Sequence, residues 1–68
     1  MTQGKREIKT RLAATLEEKG IRSIKLAEVV GVTPAAVSHW VTGKSKPKYD
    51  QMKIISRWLD VDLEWLFE

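Results

Sequence analysis

Short side chains, most of them polar, recur at helical spacing between residues 34 and 42. Ala35, Ser38, His39 and Thr42 fall on one side of the helix predicted for this segment, opposite Val37. Ser and His side chains can hydrogen-bond to the edges of base pairs, and an Ala methyl can contact the methyl group of thymine. The pattern therefore indicates a surface that reads double-stranded DNA, although the same side chains would also suit a solvent-facing helix.

A lysine loop directly follows this segment, with Lys44, Lys46 and Lys48 separated by Ser45 and Pro47. We expect these lysines to contact phosphates of a duplex, although an ordinary solvated loop has the same composition. All 12 Lys and Arg residues lie in residues 1–57, whereas residues 58–68 contain Asp and Glu but no base. The first part of the chain should attract polyanions, and the acidic end should face away from them.

Five helices account for the apolar spacing, and no segment alternates with the period of a strand. Their predicted ranges, in chain order, are about Lys5–Lys19, Ser23–Val30, Pro34–Thr42, Tyr49–Leu59 and Leu63–Phe67. Thr33 and Asp62 are suitable N-cap residues, and a glycine follows each of the first three helices. The inward-facing positions on these helices are Ile8, Leu12, Leu16, Leu26, Ala27, Val30, Val37, Val41, Met52, Ile55, Ser56 and Leu59.

The second and third predicted helices are joined only by Gly31, Val32 and Thr33. Two short helices linked by a tight, glycine-containing turn form a helix-turn-helix, whose second helix enters the major groove. The sequence therefore predicts a DNA-binding motif in which Pro34–Thr42 is the recognition helix.

The segment from Leu26 to Pro47 resembles the helix-turn-helix of the lambda-type repressor and Cro family. The likeness includes LA before Gly31, the capping Thr33, S-x-W in the recognition helix and G-K-x-x-P after it. It extends over most of the chain and implies a compact all-α fold of five helices. The family often pairs an Arg with a Glu at the positions of Leu16 and Val41, so an apolar contact is expected here instead.

The resemblance also implies roles for individual residues. Pro34, Ala35, Ser38 and His39 occupy its base-reading positions. Phosphate contacts are expected from a second set: Ser23, Thr33, Thr42, Lys44, Lys46 and Lys48. A homodimer would place its two recognition helices about 34 Å apart on a near-palindromic operator. Repression would follow from blocked access of the polymerase.

Four large apolar side chains near the C-terminus exceed what a small core needs. Ile54, Trp58, Leu63 and Trp65 are candidates for a homodimer interface, because an exposed apolar patch often marks a partner surface. Alternatively, the tryptophans wrap a small core. A further alternative for the whole chain is a protein-interaction module of the same fold, such as an antitoxin-like partner.

Catalysis is not predicted. Ser38 and His39 are adjacent on a helix and point about 100° apart, so they cannot act with Asp50 as a nucleophilic triad. The chain has one His and no Cys, which argues against a metal site. We expect no enzyme activity, no cofactor and no small-molecule ligand.

The chain is expected to form one domain over residues 1–68, with residues 1–5 as a flexible arm. No signal peptide and no membrane-spanning run is evident, so a cytoplasmic place in a bacterial host cell or on its nucleoid is expected. The alternatives are a stand-alone Cro-type protein of phage or bacterial type and the DNA-binding part of a longer repressor.

Overall fold

The computed structural model describes residues 10–67, and these residues form helices and connecting turns without a strand. The helices are α1 (Arg11–Lys19), α2 (Ser23–Val30), α3 (Pro34–Thr42), α4 (Tyr49–Leu59) and α5 (Leu63–Leu66). The predicted all-α, five-helix fold is confirmed. The bounds of α2, α3 and α4 agree with the sequence prediction, and α5 ends one residue earlier than predicted, with Phe67 as its C-cap.

The predicted start of the first helix is wrong. Thr10 has an extended backbone (φ −68°, ψ 161°), and its hydroxyl accepts a hydrogen bond from the Ala13 amide, so α1 begins at Arg11 rather than running from Lys5. The physical reason is that the Thr10 hydroxyl accepts a hydrogen bond from an amide that a carbonyl of a preceding helical turn would otherwise accept. The helix therefore starts after Thr10 instead of continuing through it. Ile8 and the predicted arm over residues 1–5 lie outside the described residues.

Side chains from all five helices meet in one core. Its buried members are Leu12, Leu16, Leu26, Ala27, Val37, Trp40, Ile55, Leu59 and Leu66. Val30 and Val41, which were predicted to face inward, are only partly buried and pack against this core. Leu16 is buried and Val41 packs against the same core, so both positions make apolar contacts.

Asp60 ends α4 in the left-handed conformation (φ 59°, ψ 47°), in the position that glycine usually occupies. Two costs coincide there, because a Cβ disfavours positive φ and a carboxylate is repelled by the negative end of the helix dipole. We expect Asp60→Asn to raise the free energy of unfolding by about 0.3 kcal/mol, by removing the charge alone. Asp60→Gly should raise it by about 1 kcal/mol, since it removes both costs. Urea denaturation of the three proteins checks the order, and a glycine variant no more stable than the asparagine variant would contradict it.

Candidate nucleic-acid interface

The turn between α2 and α3 fixes the direction in which α3 leaves the core. Gly31 adopts a left-handed conformation (φ 87°, ψ 35°) that favours glycine. Its amide and that of Val32 both donate to the Ala27 carbonyl, at 2.8 and 3.0 Å. Thr33 then caps α3, its hydroxyl accepting from the Ala36 amide at 3.2 Å, and Pro34 takes the first helical position. The motif is therefore closed by local hydrogen bonds on both sides of the turn.

Helix α3 has a buried side and an exposed side. Val37 and Trp40 are buried in the core. The four side chains predicted to read bases, Pro34, Ala35, Ser38 and His39, are all exposed. At 3.6 residues per turn they occupy an arc of about 140°. The structure therefore brings these side chains together on one continuous face that nothing in the described residues covers.

The threonines at the two ends of α3 are already engaged within the helix. Thr33 acts as the N-cap, and the Thr42 hydroxyl donates to the carbonyl of Ser38 (3.0 Å) or that of His39 (3.3 Å). Both side chains are exposed. The Thr33 hydroxyl keeps its proton for an outside acceptor, whereas Thr42 would have to give up an internal bond to donate to a phosphate.

The lysine loop is attached to the end of α3. The Lys44 amide donates to the His39 carbonyl at 2.9 Å, and Pro47 is buried. The lysines on either side of Pro47 and at the start of the loop are all exposed. The backbone of the loop is thus held against the protein, while Lys44, Lys46 and Lys48 present their ammonium groups to solvent beside the exposed face of α3.

Two helices have a cation in the N-cap position, and at α4 the Gln51 side-chain oxygen accepts a hydrogen bond from the Lys48 amide at 2.8 Å. Arg22 precedes α2 and Lys48 precedes α4, and neither side chain can accept hydrogen bonds from the first amides of its helix. Ser23, the first residue of α2, is half-buried. The uncapped amides leave hydrogen-bond donors at both helix starts, where the helix dipole favours an anion. Asp50 in the first turn of α4 supplies part of that negative charge.

Four residues of this surface and its surroundings were not singled out from the sequence. Tyr49 is 64% exposed, and the Lys53 ammonium lies 5.4 Å from its ring. Ile24 on α2 is 56% exposed. Thr10 and Arg11 make hydrogen bonds to α3 and α5. A signal for Thr10 existed, since a threonine two residues before the first buried leucine is a typical N-cap.

The apolar side chains near the C-terminus are partly exposed, as an interface would require. Ile54, Trp58 and Trp65 are 42%, 38% and 45% exposed, and Leu63 is half-buried. A shallow depression of about 600 Å³ between α4 and α5 is lined by Met52, Asp62, Leu63, Glu64, Trp65 and Phe67. Met52 lines this depression, and Ile54 lies about 160° away from it around α4. The four residues predicted for the interface therefore form two separate parts. Leu63 and Trp65 lie on α5, and Ile54 and Trp58 lie on the far flank of α4.

Other kinds of site have little support within residues 10–67. No cluster of His, Asp and Glu in this part of the chain could hold a metal ion. None of the helices described there is long and apolar enough to cross a membrane.

These features define a helix-turn-helix DNA-binding protein: two short helices, a tight turn, an uncovered face on the second helix and exposed lysines beside it. A family model described as helix-turn-helix matches residues 12–66. The chain belongs to this family, which is that of lambda repressor/Cro-like regulators, and the resemblance identified from the sequence is confirmed. It is a DNA-binding regulator whose family acts on double-stranded DNA and is not a family of enzymes. No curated protein and no solved structure matches the chain.

Proposed function

We propose that the chain is a Cro-type or repressor-type regulator that binds a near-palindromic operator as a homodimer, in the cytoplasm of a bacterial host cell or on its nucleoid. The observation that carries this proposal is the uncovered face of α3, where Pro34, Ala35, Ser38 and His39 lie side by side next to exposed lysines. The major groove of DNA is about 12 Å across and admits one α-helix.

Within the proposed complex, base choice depends on three side chains. Ser38 and His39 exchange hydrogen bonds with base edges, and the Ala35 methyl contacts thymine. Pro34 lies at the start of the helix, closest to the duplex. None of these side chains has a buried partner to give up, because all four are exposed. Their hydrogen-bonding groups are therefore available without a structural rearrangement.

The phosphate contacts surround this face. Lys44, Lys46 and Lys48 contact one stretch of backbone, and the uncapped starts of α2 and α4 offer amides to neighbouring phosphates. Ser23 contributes at the start of α2, and Thr33 and Thr42 contribute at the two ends of α3. These contacts supply affinity that is independent of sequence and weakens with salt.

A comparison of His39→Ala with Lys46→Ala separates the two kinds of contact. We expect His39→Ala to reduce discrimination at particular base pairs, each by about 1–3 kcal/mol, while leaving the salt dependence unchanged. Lys46→Ala should weaken binding to all duplexes alike and lower the slope of log affinity against log salt by about one. Selection of bound sequences from random duplex DNA, followed by titrations at several salt concentrations, measures both quantities. Unchanged sequence preference in His39→Ala would remove that residue from the proposed site.

The proposed homodimer uses the apolar end of the molecule. Ile54 and Trp58 on the flank of α4, and Leu63 and Trp65 on α5, expose apolar area outside the proposed DNA face. Two copies related by a two-fold axis would cover this area and present two recognition helices to successive major grooves. The acidic side chains of this end, Asp60, Asp62 and Glu64, then lie away from the phosphates.

The two parts of that interface can be tested separately, with Ile54→Glu for α4 and Trp65→Glu for α5. Each should weaken self-association by at least about tenfold, because a carboxylate would be buried where an apolar side chain was. Ile24→Glu is the matched control, since Ile24 is also an exposed isoleucine on a helix but lies outside the proposed interface. Sedimentation equilibrium measures the dimer constant. If neither variant differs from the control, the interface lies elsewhere.

The exposed apolar end also favours a second candidate, a protein-interaction module that holds a different protein. The two functions differ in their response to salt. Phosphate contacts require log affinity for DNA to fall linearly with log salt. DNA binding that is weak and insensitive to salt, together with tight binding of a protein that Ile54→Glu abolishes, would favour the second candidate.

A further inference from the structure

The first two described residues of the chain contact two different helices. The Thr10 hydroxyl donates to the carbonyl of Val41, in the last turn of α3, at 2.8 Å. The Arg11 guanidinium donates to the carbonyl of Trp65 in α5 at 2.9 Å and lies 5.0 Å from the centre of the Trp65 ring. The start of α1 is therefore joined both to the recognition helix and to the helix that carries part of the proposed dimer interface.

Local hydrogen bonds hold the Thr10 hydroxyl and the backbone of Arg11, from which these contacts are made. The Thr10 hydroxyl also accepts the capping bond from the Ala13 amide at 3.0 Å, which fixes its direction. The Arg11 carbonyl accepts a 2.7 Å hydrogen bond from the buried Thr15. Gly43, at the end of α3, lies beside Thr10, and an added Cβ would be in ordinary van der Waals contact with the Thr10 methyl at 3.5 Å.

Packing at this junction is otherwise incomplete. A cleft of about 380 Å³ lies where the start of α1, the end of α3 and the end of α5 converge, and its lining includes Thr10, Arg11, Trp40, Gly43 and Leu66. The polar contacts of Thr10 and Arg11 therefore lie at a junction that apolar side chains do not fill completely.

Arg11 is also placed where its own helix does not favour it. It is the first residue of α1, at the positive end of the dipole, and that first turn contains no acidic residue. Helix formation alone would therefore be improved by removing this charge. Its hydrogen bond to the Trp65 carbonyl and its contact with the Trp65 ring favour an arginine at this place.

We propose that Thr10 and Arg11 are positioning residues that couple the orientation of the recognition helix to that of α5. In the dimer, which this inference takes from the proposed function, they would set the distance between the two recognition helices and hence the preferred spacing of half-sites. They do so without touching DNA.

Amide hydrogen exchange in the free protein tests the coupling without DNA. Arg11→Gln should speed exchange about fivefold at Leu66 and Phe67 in α5 and also at Gly43 and Lys44 at the end of α3. Lys19→Gln, which removes the same charge from the other end of α1, should leave all four amides unchanged. Exchange at Gly31, in the turn after α2, should be unaffected in both variants.

Two substitutions of Thr10 separate its capping role from its contact with α3. Thr10→Asp keeps an acceptor for the Ala13 amide but has no proton to donate to Val41, so it should speed exchange at both the α3 and α5 amides. Thr10→Ser keeps both bonds and should behave as the wild type. If Arg11→Gln speeds exchange at the α5 amides alone, the loss of stability is local. If it speeds exchange equally at Gly31, the loss of stability is global. Either result would overturn the proposal.

Binding to one half-site and to a complete operator provides the functional test. Arg11→Gln should bind a single half-site as Lys19→Gln does, but bind the complete site about tenfold more weakly, with a broader preference for half-site spacing. An equal loss on both duplexes would mean that Arg11 contacts DNA, which contradicts a positioning role. If the wild type binds the complete site no better than the half-site, the proposed dimer fails, while the exchange data still decide whether α3 and α5 are coupled.

Discussion

Replacing Ala35 by glutamate is expected to reduce specific DNA affinity by about 100-fold or more while leaving the fold intact. Ala35 is exposed in the first turn of α3, so the fold has room for a longer side chain. A carboxylate in that turn is favoured by the helix dipole, and the free energy of unfolding should therefore be unchanged or slightly increased. In the proposed complex the same carboxylate would be desolvated between base edges and phosphates, where it repels the duplex.

Ala14→Glu is the control for this variant. Ala14 is an exposed alanine on α1, and the substitution makes the same change in side chain and in net charge. We expect it to weaken binding only by the general effect of one added negative charge, about fivefold or less, and less still at high salt. Fluorescence anisotropy with a selected operator measures both affinities, and thermal unfolding checks both folds. Equal affinities for the two variants would show that α3 is not the helix that reads the DNA.

Leu26→Ala is expected to leave most of the protein unfolded at 37 °C. Leu26 is fully buried on α2 and is part of the core against which α3 packs. Truncation of a buried leucine costs about 2–5 kcal/mol, and a core of this size supplies only about 3–5 kcal/mol of stability. DNA binding should be lost in parallel, because the turn and α3 are held in place by the same core.

The matched variant is Ile24→Ala, two residues away on the same helix. Ile24 is 56% exposed, so its truncation should change the free energy of unfolding by only about 0.5 kcal/mol. Operator DNA should also stabilise the folded state of Leu26→Ala, because only the folded state binds it. At a DNA concentration one hundred times the dissociation constant, the free energy of unfolding should rise by about 2.7 kcal/mol. Circular dichroism with and without DNA measures these effects. A Leu26→Ala protein as stable as Ile24→Ala would contradict the assigned core.

Local signals made most of the fold predictable. The ranges of α2, α3 and α4 followed from apolar spacing, from Thr33 as a cap and from glycines after helices, all of which act within a few residues. The start of α1 was not predicted correctly, because residues before Thr10 carry a helical pattern and the hydroxyl of Thr10 competes with it. Periodicity measures which face a residue would occupy in a helix, but it does not show where the helix begins.

The candidate site, like the fold, has features that the sequence predicts and features that it does not. The amino-acid sequence by itself determined which side of α3 is polar, since the positions of Val37 and Trp40 leave Ala35, Ser38 and His39 outside. It also determined the charge difference between the lysine loop and the acidic C-terminal end. These are properties of residue type and helical spacing, and they hold for any packing of the five helices.

Only the tertiary structure decided which residues far apart in the chain meet. Thr10 and Val41 are 31 residues apart and Arg11 and Trp65 are 54 apart, yet each pair is joined by a hydrogen bond. The division of the apolar end into a part on α5 and a part on the flank of α4 depended equally on how the helices pack. The physical reason is that such contacts are set by the shape of the shared core and the angles between helices, and no local pattern encodes either.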